Sequence, residues 1–220
     1  MTDTAPLVRR SVLAGLTAAL LTLTGCGATG PQGLPAGATA PALAASAGTS
    51  TMPAPSTCTI RRDGALELPD PRCTPGAVNP AVTPATINAT ICRTGWTKTV
   101  RPATSVTNPM KRASAAAYGQ PAGEQGEYDH LVPLELGGAT QDSRNLWFER
   151  GSIPNRKDQT EHALNEAVCA GRVTLEAAQR AIAANWATAL EVLDLRITAF
   201  GTCEFYHSMN CVARRHGDGS

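Results

Sequence analysis

Apolar and polar positions change rhythm part-way along the chain. After Asn155 the spacing is helical: Leu164, Ala167 and Val168 share a face with Glu161, and Gly171 is placed to end that helix. Thr174 caps a second predicted helix in which Leu175, Ala178, Ile182 and Trp186 recur. Ala189 to Phe200 is apolar and reads as helix or strand, and the tail from Gly201 as an appended loop. Ahead of Asn155 the signals are shorter. An apolar run closes at Asp129-His130, a Gly137-Gly138 turn follows, and Asn145 leads into a second run, Leu146-Trp147-Phe148. The order strand, loop, strand, helix is expected over residues 126–170. Further upstream, Pro75, Pro80, Pro84, Pro102 and Pro109 cut the chain into short pieces. Thr86 to Cys92 and Trp96 to Val100 are predicted as short strands or turns, and Ser114 to Tyr118 as a helical turn ending at Gly119. The fold class expected is α+β.

The N-terminus belongs outside that fold. Arg9-Arg10 precede an apolar stretch, Ser11 to Thr24, that is short for a bilayer span. It ends in Leu23-Thr24-Gly25-Cys26, which resembles the lipobox of bacterial lipoproteins. Residues 1–25 are therefore expected to be a lipoprotein signal peptide, with Cys26 lipidated and the protein held on the outer face of the cell membrane. Residues 26–57 are uncharged before Arg61 and rich in Ala, Gly, Pro, Thr and Ser. They read as a disordered tether, and residues 58–220 as one domain.

Cysteine parity agrees with export. Of seven Cys, removing Cys26 leaves Cys58, Cys73, Cys92, Cys169, Cys203 and Cys211. An even set in an exported chain reads as disulfides stapling a modest core. Sequence alone does not choose among the many pairings; the set adopted is Cys58–Cys73, Cys92–Cys169 and Cys203–Cys211. There is no CxxC pair for a zinc knuckle.

Charge narrows the partners. Without Arg9, Arg10 and Asp3, the 19 basic and 18 acidic residues become 17 of each, so no global basic footprint exists. Yet residues 72–122 hold Arg72, Arg93, Lys98, Arg101, Lys111 and Arg112 and no acid, a segregation that suits a local phosphate-binding face or a merely solvated loop region.

His130 has the imidazole that a general base near neutral pH requires, and Asp129 beside it is a hard oxygen ligand for a divalent cation. An Asn carbonyl, from Asn145, would orient the ring without adding charge. Asn155 is the expected second metal ligand from the helix, with Glu161 and His162 as fallbacks; a plain helix cap is the alternative for Asn155. Arg144, Arg150, Arg156 and Lys157 surround the motif as phosphate contacts. Trp96 and Trp147 read as core, and His207 and His216 as solvated tail residues.

Asp129-His130-Leu131-Val132-Pro133-Leu134-Glu135-Leu136-Gly137-Gly138, then Asn145-Leu146-Trp147, then Asn155-Arg156-Lys157-Asp158 followed by Glu161, resemble an exported bacterial branch of the HNH (His-Me finger) endonucleases. The likeness spans about residues 73–186. It implies a small ββα-metal core with added helices and a Pro-rich, disulfide-stapled N-terminal portion. It also implies one divalent metal, Mg²⁺ or alternatively Mn²⁺, with His130 as general base oriented by Asn145. The activity expected is hydrolysis of nucleic-acid phosphodiesters, DNA ahead of RNA, with little sequence specificity, by a monomer. Two rivals stand beside it: a catalytically silent HNH scaffold acting as a surface binding module, and a structural envelope lipoprotein whose Asp-His pair is incidental.

Overall fold

The computed structural model describes residues 42–46, 48 and 50–198, with 201–203 as backbone. The signal peptide, Cys26, His207, Cys211 and His216 lie outside the described residues. Among the described residues no helix is long and apolar enough to cross a membrane.

The architecture is α+β, built from two-stranded sheets among short helices. Strand β1 (Ala44–Ala45) runs parallel to β4 (Ala77–Val78), while β2 (Arg61–Asp63) and β3 (Leu66–Leu68) form a hairpin. Helices α1 (Trp96–Val100) and α2 (Thr104–Ala117) follow. The central unit is the antiparallel pair β5 (Gly126–His130) and β6 (Leu146–Arg150), then helix α3 (Arg156–Cys169). Helices α4 (Leu175–Asn185) and α5 (Ala189–Val192) and the antiparallel pair β7 (Arg196–Thr198) and β8 (Gly201–Cys203) complete it.

Caps explain where α3 and α4 begin. Asn155 Oδ1 accepts from the Lys157 N–H at 2.7 Å, and Asp158 returns a bond to the Asn155 N–H at 2.6 Å, a capping box. Gly171, at φ +71°, takes the left-handed conformation just past the end of α3. Thr174 Oγ1 accepts from the Ala177 N–H at 3.1 Å. The faces expected to be apolar are buried: Leu164, Ala167 and Val168 of α3 meet Leu175, Ala178 and Ile182 of α4, over Leu131, Val132 and Leu136 from the loop after β5. Each fully buried Leu, Ile or Val contributes about 1.5–3 kcal/mol, so this layer fixes where the loop lies. A smaller cluster forms on α2, where Ala117, Tyr118 and Cys58 surround Trp147 of β6, and Ser114 Oγ accepts from the Phe148 N–H at 3.0 Å.

Two disulfides are present, Cys58–Cys73 and Cys92–Cys169, both in the adopted pairing. The first ties the N-terminal segment down beside α2, and the second joins the Pro-rich half to the end of α3. The third pair involves Cys211, outside the described residues.

One expectation gives way, one is settled and one is extended. Trp96 to Val100 is a helix, because Trp96 is drawn into the main core and Gly95, at φ +79°, turns the chain into it. Thr86 to Cys92, expected as a short strand or turn, is a run of turns with a 3-10 segment at Ile87–Ala89. Ser114 to Tyr118 is the end of a 14-residue helix that continues through Pro109, since packing against the central hairpin outweighs the hydrogen bond a proline removes. The described part of the stretch read as a tether also lies on the body. Ser46 N–H bonds Val78 O at 2.8 Å, Ser56 N–H bonds Ala116 O at 2.8 Å, and Leu43 packs against the core. Backbone pairing, serine hydroxyls bonded to Asp142 and one apolar side chain hold a segment whose composition promised none of these.

Candidate functional site

The loop between β5 and β6 is gathered by one side chain. Asn145, fully buried, accepts at Oδ1 from the Val132 N–H at 2.9 Å, while its Nδ2 donates to Val132 O at 2.9 Å and Ala139 O at 3.1 Å. The Gly137-Gly138 pair follows from the same close packing. A Cβ on Gly138 would stand 1.7 Å from Val132 O and 2.7 Å from Asn145 Nδ2, and Gly137 has φ +73°. Loop tightness, rather than a generic turn, requires both glycines.

His130 closes β5 and is 7% exposed. Its Nε2 lies 3.1 Å from Thr140 O. A carbonyl only accepts, so Nε2 carries the proton and Nδ1 is the bare nitrogen. Burial lowers the imidazole pKa to about 4, against the opposing pull of Asp129 and the Thr140 bond. The ring is neutral at physiological pH. The expected orienting bond from Asn145 is absent: Asn145 fixes the loop, and Thr140 on that loop orients the ring.

Asp142 anchors the far side of the loop. This fully buried carboxylate accepts from Ser46 Oγ at 3.0 Å, from Ser50 Oγ at 2.5 Å, and from the Arg144 guanidinium, with Arg144 Nη2 at 2.6 Å from Oδ2. Arg144, expected on a phosphate, is thus committed to a buried carboxylate. Arg150 is likewise paired with Glu67.

A second group of residues surrounds the start of α3. Glu127 and Glu149 face each other across β5 and β6, and Asp129 stands two residues along, so that one oxygen from each lies within 4.8 Å of the others. Lys157, 1% exposed, reaches in from α3: its Nζ is 2.6 Å from Asp129 Oδ2, donates to His130 O at 2.8 Å and also pairs with Glu161. Burial raises the Glu127 pKa to about 7, with the charges of Asp129 and Asp158 adding to the effect. Glu149 and Glu161 are pushed up by burial first and by Asp129 next. Burial would lower Lys157, but Asp129, Glu161 and Glu149 override it and keep the ammonium charged. One buried cation therefore serves four carboxylates.

The expected ligands are distributed differently. Asp129 is in the cluster. Asn155 is the cap: Oδ1 is used by the backbone of α3, and Nδ2 donates to Glu127 Oε1 at 3.1 Å. Lys157 is buried and ion-paired rather than turned to a phosphate. His162 is exposed on α3, 3.4 Å from Glu166. Arg156 is exposed, and so is Arg101, whose charge is felt at both His130 and Glu135. Glu127 and Glu149 were missed from sequence. Alternation of Glu127 with Asp129 gave half the signal, but placing Glu149 opposite required the β5–β6 register. Comparison with models of known families, with curated proteins and with solved structures found no match.

Proposed function

We propose that this protein is a lipid-anchored, extracytoplasmic endonuclease of the HNH type, hydrolysing nucleic-acid phosphodiesters, DNA ahead of RNA, with one divalent metal. The observation that carries the reading is the state of His130. Thr140 O accepts the Nε2–H hydrogen bond, burial keeps the ring neutral, and Nδ1 is left as the proton acceptor of a ring that feels the Asp129 charge. His130 Nδ1 would take a proton from the attacking water. Asn145, by holding Val132 and Ala139, keeps Thr140 where it sets the tautomer. The exposed guanidinium groups of Arg101 and Arg156 would receive phosphate oxygens. The residues fit a hard cation, because oxygen donors converge on Asp129 and outnumber the buried positive charge. Such a cation, when bound, neutralises the crowded phosphate and assists the leaving oxygen.

The test is nicking of supercoiled plasmid by the oxidised full chain with Mg²⁺, Mn²⁺ or EDTA. Metal-dependent nicking that EDTA abolishes supports the reading; a folded, metal-supplied protein that leaves the plasmid intact refutes it.

One observation favours a second reading, a catalytically silent scaffold used as a binding module. The Lys157 ammonium already stands against Asp129 Oδ2, an internal cation on the carboxylate from which a metal would be held. That reading requires binding of nucleic acid that is indifferent to EDTA, without cleavage.

A further inference from the structure

Of the three carboxylates facing the start of α3, Glu127 and Asp129 are half-buried and Glu149 is buried, and two of them, Asp129 and Glu149, carry an incompletely partnered oxygen. Glu149 is 7% exposed; its Oε2 is shut off from solvent and meets no N–H or O–H donor, and its carboxyl group stands beside that of Asp129. Asp129 Oδ2 has Lys157 Nζ at ion-pair distance, but no hydrogen bond of proper geometry. A buried carboxylate oxygen without a donor costs several kcal/mol or is neutralised by a proton or a cation. The surrounding donors do not reach it: Asn155 Nδ2 is on Glu127, and Lys157 Nζ bonds His130 O and Glu161. One oxygen from each of the three carboxylates lies within 4.8 Å of the others, close enough for a single hard cation to draw them together.

We propose that Glu127, Asp129 and Glu149 together form a divalent-cation site, with Glu149 Oε2 as its innermost ligand, selective for hard cations such as Mg²⁺, Mn²⁺ or Ca²⁺. The inference rests on the metal-dependent reading of this same region and replaces Asn155 with two glutamates from the strands. All-oxygen donors exclude a preference for soft metals. Lys157 closes the helix side of Asp129. Asn155 then acts as a positioning residue, its amide holding Glu127 Oε1 while its carbonyl caps α3.

The experiment is Mn²⁺ titration of the EDTA-stripped, oxidised full chain, followed by loss of the free-ion paramagnetic signal. Wild type is expected to take up one Mn²⁺, and Glu149→Gln and Glu127→Gln each to weaken binding about tenfold or more. His162→Ala, which alters an exposed imidazole on α3, is expected to bind like wild type. Circular dichroism confirms that each variant is folded, and the two glutamine variants guard against failure of either one. Absence of Mn²⁺ uptake by folded wild type, or wild-type uptake by both glutamine variants, overturns the site. Uptake that depends on Glu149 with no cleavage of plasmid leaves the site standing and removes the nuclease.

Discussion

Replacing Asn145 with Ala isolates the device on which the site depends. The substitution removes three buried hydrogen bonds: one accepted from Val132 N–H and two donated to Val132 O and Ala139 O. A buried N–H left without an acceptor costs about 1–3 kcal/mol, and each carbonyl that loses a donor adds roughly 1 kcal/mol. The sum, about 3–5 kcal/mol, is a large share of the 5–15 kcal/mol typical of a domain. At about 2–4 °C per kcal/mol for a domain of this size, Tm should fall by roughly 10 °C. Urea unfolding of the oxidised chain measures the loss directly. Asn145→Asp sharpens the test, since the new carboxylate still accepts from Val132 N–H but is set against two carbonyls. Its loss should match or exceed that of Asn145→Ala at pH 7. It should shrink as acid protonates the carboxyl and restores a donor. A loss below about 1 kcal/mol for Asn145→Ala would refute the role of Asn145 as the loop's fastening.

Other outcomes follow from the same geometry. Glu127 and Glu149 have folded pKa values above the ordinary 4.5, so the native state binds protons that the unfolded chain releases, and stability falls as pH rises above about 4.5. Glu149→Gln in the metal-free protein should therefore gain on wild type between pH 5 and pH 8 in urea melts; a constant difference would contradict this. His130 has the opposite sign: its folded value near 4 lies below 6.5, so stability should drop as pH falls from about 6.5 to 4, by up to about 3 kcal/mol. His130→Gln should flatten that acid limb, and parallel profiles would count against it. Of the disulfides, Cys92–Cys169 spans 77 residues and Cys58–Cys73 spans 15. Double Cys→Ala variants should lose about 4 and 3 kcal/mol respectively by loop-closure entropy, a ranking that equilibrium unfolding can reverse.

How much of this was legible can be followed residue by residue. The cap at Thr174 and the apolar faces of α3 and α4 were readable because local signals and burial agree there, whereas Asn155 was expected first as a metal ligand and its capping role only as the alternative. So was the order of β5, loop, β6 and α3 around His130. Helix α1 was not, since Trp-Thr-Lys-Thr-Val has β-leaning propensity and becomes helical only where Trp96 is buried by residues distant in sequence. The partner of His130 was misassigned for a related reason. Asn145 and Thr140 both lie in the long loop, and only its closed shape shows which of them meets the ring. Lys157 resembled a surface phosphate contact because a lysine in the first turn of a helix is ordinarily solvated; the acids facing it come from two strands whose register the sequence does not state.

The most direct measurement is the single-turnover rate of cleavage of a short DNA duplex at saturating Mg²⁺, comparing wild type with His130→Ala at pH 7.5. A general base contributes about 10²–10⁴-fold, so the variant should be slower by that factor while remaining folded. A loss of less than about tenfold, from a variant that still binds the duplex, would contradict the assignment of His130 Nδ1 as the base.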